Sequence, residues 1–323
     1  MTSRKSYLTE VALILFIALM FTLALMSTSM ASASLSKIQD EPYRVDTFDI
    51  TSPGNLEVET SGGHITVKGR SSTKARIEMY VSKNGRNLLP EDTDIDKWDI
   101  DISQSGNSLR AVAKREGSSG WSLFGKNNNL SISFVVYSPR EISTDLETSG
   151  GHIDIENLMG NQHLSTSGGH LELANLEGTI DARTSGGHIN ITDIEGDLEA
   201  RTSGGHINVN NANGQLAVKT SGGYIDLANT NGRVDAKTSG GSITADLTSI
   251  DQFVSLRTSG GNISISVHRN LGLDLDLRGS YVSSKLENLS GEIEEDEVKG
   301  RLNGGGAQLK ARTSGGTVSL SFH

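Results

Sequence analysis

Residues 184–201 read TSGGHINITDIEGDLEAR, and the same frame returns along much of the chain. Thr-Ser-Gly-Gly tetrads begin at Thr148, Thr166, Thr184, Thr202, Thr220, Thr238 and Thr258, in steps of 18 residues with a last step of 20. Two further copies stand apart, at Thr60 and Thr313. A short fixed period is the mark of a repeat architecture. After the glycines, Ile189 and Ile191 alternate with His188 and Asn190; after Gly196, Leu198 and Ala200 alternate with Asp197, Glu199 and Arg201. Both runs have the period of half-buried strands. Gly186-Gly187 and Glu195-Gly196 are expected to supply the turns, because glycine tolerates the positive φ of sharp corners. A helical crossover between parallel strands needs a dozen or more residues by itself, so the unit has no room for one. The chain is therefore expected to be all-β: a parallel β-solenoid, or β-helix, with 18-residue coils.

Stacking the units produces columns. Ile153, Leu171, Ile189, Ile207, Ile225, Ile243 and Ile263 share one phase, and Ile155, Leu173, Ile191, Val209 and Leu227 the next. Ile180, Leu198, Leu216, Val234 and Val254 form a third on the opposite wall, followed by Ala182, Ala200, Val218 and Ala236. Four or five buried aliphatics per coil, at about 1.5–3 kcal/mol each, do not offset about 1–2 kcal/mol per residue of backbone ordering. A lone coil cannot fold, and stability must come from stacking.

Outside this array the text changes. In residues 1–33, Arg4 and Lys5 precede an apolar run from Val11 to Met26 and a small-residue stretch ending Ala31-Ser32-Ala33. That is the pattern of a secretory signal peptide, and the apolar run is shorter than the ~20 residues that span a bilayer. An uncleaved anchor is the alternative, and only then would the chain contact a membrane. Residues 34–140 form an N-terminal β region that contains the first coil, LEVETSGGHITVKG, and longer strands such as Arg76–Val81 and Trp98–Ile102. The regular solenoid is expected over 141–267. A capping segment and one last coil, with inward Leu309, Ala311, Val318 and Leu320, are expected over 268–323. Irregular sheet at both ends would shield the open edges of the coils.

Composition excludes several classes. With no cysteine, disulfides and thiolate metal sites are out. A net charge of −10 argues against nucleic acid or an acidic lipid surface as partner. An exported chain belongs in the periplasm, on the outer surface or outside the cell.

Val58-Glu59-Thr60-Ser61-Gly62-Gly63-His64-Ile65-Thr66-Val67, the array itself, and Gly304-Gly305-Gly306 before Thr313 carry a family resemblance. The chain resembles the bacterial putative-adhesin family of β-strand-repeat (TSGG-repeat) proteins, whose function is unknown. The resemblance covers most of residues 48–323 and implies the solenoid fold and an exported, adhesin-like module. It implies no catalytic residues, and fold alone does not give function.

Several constellations have a bland reading beside a sharp one. The glycine pairs resemble calcium β-rolls, but Ile189 and Ile207 stand where a third glycine is needed. Asp92, Asp94 and Asp96 have EF-hand spacing, yet Lys97 and Ser103 replace the required glycine and glutamate. The acidic run Glu292, Glu294, Glu295, Asp296 and Glu297 reads as a solvated loop. The threonine ladder invites an ice-binding reading, but one threonine per coil beside a glycine corner reads better as a hydroxyl that satisfies turn backbone. His152, His170, His188 and His206 share one outward phase that continues as Tyr224, Ser242 and Asn262. They are the weak candidates for a metal; four rings in a straight row do not surround an ion, so no structural metal and no cofactor is expected.

The reading is an exported, non-catalytic binding or scaffolding module at the bacterial cell envelope, with an unknown surface protein or glycan as partner. The competing reading is a carbohydrate-active, polysaccharide-degrading enzyme on the same scaffold. It would need a groove with paired carboxylates and an aromatic platform; Trp98 and Trp121 both lie outside the array.

Overall fold

The computed structural model describes residues 41–115 and 130–323. Residues 1–40, which hold the expected signal peptide and most of the expected leader, and residues 116–129 with Trp121 lie outside the described residues. Every regular element described is a β-strand, and no helix among the described residues is long and apolar enough to cross a membrane.

The regular coils are long strands that bend from one wall to the other: Ile153–Thr166, Leu171–Thr184, Ile189–Arg201, Ile207–Lys219, Ile225–Lys237 and Ile243–Thr258. Each pairs in parallel with the next, Ile189 facing Ile207 and Leu198 facing Leu216. The aliphatic columns read from the sequence are buried, most of their members at 0–3% exposure. Burial between stacked neighbours, not within one coil, makes the core, as expected of a solenoid.

A further column fills the bend. Leu158, Leu176, Ile194 and Ala212 are buried and in register, although strict alternation from Ile191 would turn Asp193 inward and Ile194 outward. The cause is the residue before each of them. Asn157, Asn175, Asp193, Asn211 and Asn229 have φ between 51° and 61°. Asn and Asp are the residues that enter this left-handed region most readily after glycine, and one such residue shifts the alternation by a step. Gly160, Gly178, Gly196, Gly214 and Gly232 follow at φ 114–136° and complete the bend.

At the Gly-Gly corner the expected reason for glycine is corrected. Gly186 and Gly187 are not among the positive-φ glycines. A Cβ on Gly187 would sit 1.8 Å from the Gly169 carbonyl oxygen, and one on Gly205 equally close to that of Gly187. Successive corners touch backbone to backbone, so the second glycine is required by contact distance, not by torsion.

Both ends depart from sequence order. The coil made of Gly54–Thr60 and Ile65–Arg70 lies between two others. On one side it pairs in parallel with Ser108–Arg115 and Leu130–Pro139, on the other with Ile142–Thr148 and the start of Ile153–Thr166. Antiparallel strands Lys74–Lys83 and Trp98–Ser105 flank that outer layer. At the other end Ala307–Thr313 and Thr317–Phe322 pair in parallel with Ile243–Thr258 and Ile263–Val267 below, and with Leu273–Arg278 and Tyr281–Ser284 above. The coil expected to be last is therefore next to last in space. The chain first builds the outermost layer at 273–284, returns through antiparallel Glu297–Leu302, and then fills the gap it left.

Candidate functional site: the glycine corner

Each tetrad places four kinds of group along one edge of the solenoid. The threonine turns inward: Thr202 is 6% exposed, donates its hydroxyl to the Gly187 carbonyl at 2.9 Å and accepts the Gly205 N–H at 3.3 Å. The same pair of bonds recurs from Thr148 to Thr313. One hydroxyl thus satisfies a carbonyl of the coil below and an amide of its own corner, as buried backbone groups require. A buried ladder displays no threonine face to ice.

The histidines stand on the far side of the corner. His64, His152, His170, His188 and His206 form one stack, with ring centroids 4.8–4.9 Å apart and interplanar angles of 3–13°. Tyr224 closes it at 3.8 Å from His206. His64 joins from the isolated first coil, which the chain brings directly beneath His152; its TSGGH text was the available signal. Each imidazole has a backbone partner. The His170 N–H donates to Nδ1 of His152 at 2.8 Å, and His188, His206 and Tyr224 repeat the bond one coil on. Where histidine is absent another acceptor takes over: Ser133 Oγ for His64 N–H, Ser242 Oγ for Asn262 N–H, and Asn262 Oδ1 for Thr317 N–H. Imidazole, hydroxyl and amide all serve in this column as acceptor for the next coil's amide, and Tyr224 is the member that takes the stacking role without that bond.

This bond fixes the chemistry of the ladder. An Nδ1 that accepts leaves the proton on Nε2, so the neutral rings present N–H donors outward. Ligation through Nε2 would require the other tautomer and would cost each next amide its acceptor. Among the described residues no cluster of three or more His, Asp or Glu could hold a metal. Burial first, and the neighbouring His152, hold the His64 pKa below its ordinary value; burial and His188 do the same for His206.

On the near side of the corner the residue before each threonine points outward; it is Glu59, Glu147 and Ser165 in the first coils and basic from Arg183 on, with Arg278 continuing the register ahead of Gly279. Arg183, Arg201, Lys219, Lys237, Arg257, Arg312 and Arg278 are direct register neighbours, in that order, and all are exposed. All five arginines are paired: Arg183 to Asp181 at 2.8 Å, Arg201 to Glu199, Arg257 to Asp235 at 3.8 Å, and Arg312 and Arg278 to Asp276 at 2.6 and 3.3 Å. Lys219 and Lys237 make no ion pair among the described residues. Exposed serines, such as Ser203 and Ser221, and the first glycine of each tetrad lie between this column and the histidines.

One groove of about 570 Å³ opens on the wall near the first coils, lined by Glu57, Arg110, Asp145, His163 and Asp181 among others. Glu57 pairs with Arg110, and Asp181 with His163 at 3.3 Å and Arg183 at 2.8 Å. No Trp, Tyr or Phe lines it. The two calcium readings also resolve into local structure. Asp94 accepts the Asp96 N–H at 2.8 Å and Asp92 the Leu89 N–H at 3.0 Å, in an exposed loop. The run after Ile293 is a tight turn whose backbone accepts the Gly279 and Val282 amides, while Glu297 pairs with Arg278 at 2.7 Å.

A search of curated proteins finds no match to the chain. Among solved structures, one similar chain is described as a putative adhesin from Bacteroides fragilis. It is 13% identical, with a TM-score of 0.39 over 87% of this chain and 96% of its own. A second is described as a putative cell adhesion protein from Clostridium sporogenes, 10% identical, with a TM-score of 0.20 over 88% of this chain and 100% of its own. The family model that matches covers residues 36–321, nearly all of the solenoid and both ends. The chain belongs to the Toastrack DUF4097 family.

Proposed function

We propose that the protein is an exported, non-catalytic binding or scaffolding module of the bacterial cell envelope, adhesin-like in use. The observation that carries this reading is a division of labour between columns. The inward columns repeat because backbone contacts demand it, whereas the outward wall column Asp154, Glu172, Asn190, Asn208, Asp226, Thr244, half-buried to exposed, changes from coil to coil in strict register. A rigid frame with a free display surface suits recognition of an extended partner. The signal-like segment at 1–33 supports export.

The groove beside His163 favours the second reading, a carbohydrate-active enzyme, through its carboxylates Glu57, Asp145 and Asp181. Two of these are held in ion pairs, which suits structure better than an acid–base couple. A glycan array and an envelope pull-down with the exported protein test the proposal. A retained ligand with no new reducing ends is expected; steady release of reducing ends, lost in Asp145→Asn, would replace binding by catalysis.

A further inference from the structure

We propose that the basic column from Arg183 to Arg278 is a rail for a single extended polysaccharide chain bearing carboxylates. The inference rests on the binding-module reading and names its partner class. Three repeated positions at the corner are fixed by backbone contacts: the threonine bonds two backbones, the second glycine admits a carbonyl, and the histidine accepts an amide. At the basic position Arg183, Arg201, Arg257, Arg312 and Arg278 pair with surface carboxylates, and the two lysines at the centre of the row do not. Lys219 and Lys237 sit side by side in register with no ion-pair partner among the described residues, and like charges directly opposite one another destabilise a sheet. A chain of net charge −10 nevertheless keeps the same sign through seven successive coils. An anion laid along the column would remove that repulsion at the two lysines and take up the N–H donors that the paired arginines leave free.

Shape selects the kind of anion. Six strand spacings of about 4.8 Å make a row about 29 Å long and one side chain wide. On one side it is bordered by Asp181, Glu199, Asp235 and Asp276, on the other by serine hydroxyls and a glycine with no side chain. A membrane surface or a duplex is broader than the row and would meet those carboxylates. A single uronate chain carries one carboxylate per sugar along an extended backbone, which guanidinium groups hold bidentately and ammonium groups as point charges. The serine hydroxyls add hydrogen bonds to sugar oxygens.

The test is calorimetric titration of the full chain with short and long oligogalacturonates, beside the double variant Lys219→Gln, Lys237→Gln and the control Lys83→Gln, Lys285→Gln. Affinity should rise with oligomer length and fall about tenfold or more between about 50 and 200 mM salt, in the manner of counterion release. The column variant should lose about tenfold with a melting temperature equal to or slightly above the parent's, because the lysine pair no longer repels, and the control should lose nothing. Equal affinity in the column variant overturns the proposal, as does equally tight binding of single-stranded oligothymidylate or of vesicles rich in anionic lipid. An envelope ligand captured equally by parent and column variant would sink the rail and leave the binding module standing. If the parent captures no envelope component but binds galacturonate through Lys219 and Lys237, the rail stands and the envelope assignment falls.

Discussion

The middle of the solenoid and its two ends solve the same problem in different ways. In the middle, each coil stacks on the one made just before it, and any regular unit meets nearly the same neighbours. At the ends, spatial order and sequence order part company. The coil at 54–70 and the coil at 307–322 are each inserted between layers the chain lays down at other times. The middle is modular because its contacts are local; the ends are not, because each inserted coil completes two parallel ladders at once. Propagation makes a solenoid long, and insertion makes it finite.

Deletion separates the two regimes most sharply. Removing residues 184–201 takes out one whole unit, joins Arg183 to Thr202, and lets Ile207 stack on Leu171. A cooperative thermal transition should persist, because interfaces between repeats are nearly interchangeable. Removing residues 303–323 is a cut of similar length, but it strips pairing from Ile263–Val267 and Tyr281–Ser284 together. No cooperative transition by circular dichroism is expected. Equal melting behaviour of the two deletions would refute the distinction.

Within the middle, single substitutions should follow the columns. Ile207→Asp places a charge at a fully buried position and should cost ~3–5 kcal/mol in denaturant titration. Asn208→Asp, one residue away on the outward, half-buried wall, loses one bond to Asn190 and faces Asp226, and should cost only about 1 kcal/mol or less. Gly205→Val should be as damaging as the buried charge, since its Cβ would lie 1.8 Å from a carbonyl oxygen, whereas the nearest atom to a Cβ on Gly204 is 3.7 Å away. Comparable losses at 204 and 205 would undo the contact-distance account.

Thr202→Val keeps the volume and removes two hydrogen bonds; a loss of ~1–3 kcal/mol is expected, because a buried carbonyl and amide lose their partner.

The smallest effect is that of pH. His64 and His206 bind protons less readily folded than unfolded. Below about pH 6.5 the unfolded chain takes up protons that the folded ladder resists, so these groups should remove stability as pH falls from about 7 to 5 and add none above. Replacing both by Asn, an acceptor the fold already uses at Asn262, should flatten the melting temperature over that range relative to the parent. An unchanged slope would show that the acid sensitivity lies elsewhere. Zinc at neutral pH should give no tight calorimetric isotherm, since the Nε2 positions carry protons.

What the sequence revealed follows from what a period can encode. Ile189, Ile207 and Ile225 announce an inward column because side-chain alternation and repeat length are both written in the text. Ile194 escaped because one left-handed residue, Asp193, resets the alternation without changing the repeat; the recurring Asn or Asp at that position was the only trace. The inserted ends escaped for a different reason. Nothing in the composition of Leu309 or Leu56 says which two strands will flank it, since pairing partners far apart in sequence are chosen by the completed stack. At the corner, residue types were legible but bond directions were not. The histidines read as a row of free rings, and only the backbone geometry turns them into acceptors. The basic residue ahead of each threonine from Arg183 onward stood in plain view, and net charge alone concealed it.

The placement of the terminal coils has a mechanical meaning. Among the described residues, force applied toward the N-terminal side first meets Arg44–Asp49, an antiparallel strand paired there with Lys74–Lys83 alone, which can be peeled away bond by bond. Force applied toward the C-terminal side meets Thr317–Phe322, clamped between Ile263–Val267 and Tyr281–Ser284. Withdrawing that strand shears two ladders simultaneously. A solenoid gripped at one end and peelable at the other yields under tension in a fixed direction, so stretching the described residues from their two ends should open the N-terminal strand first.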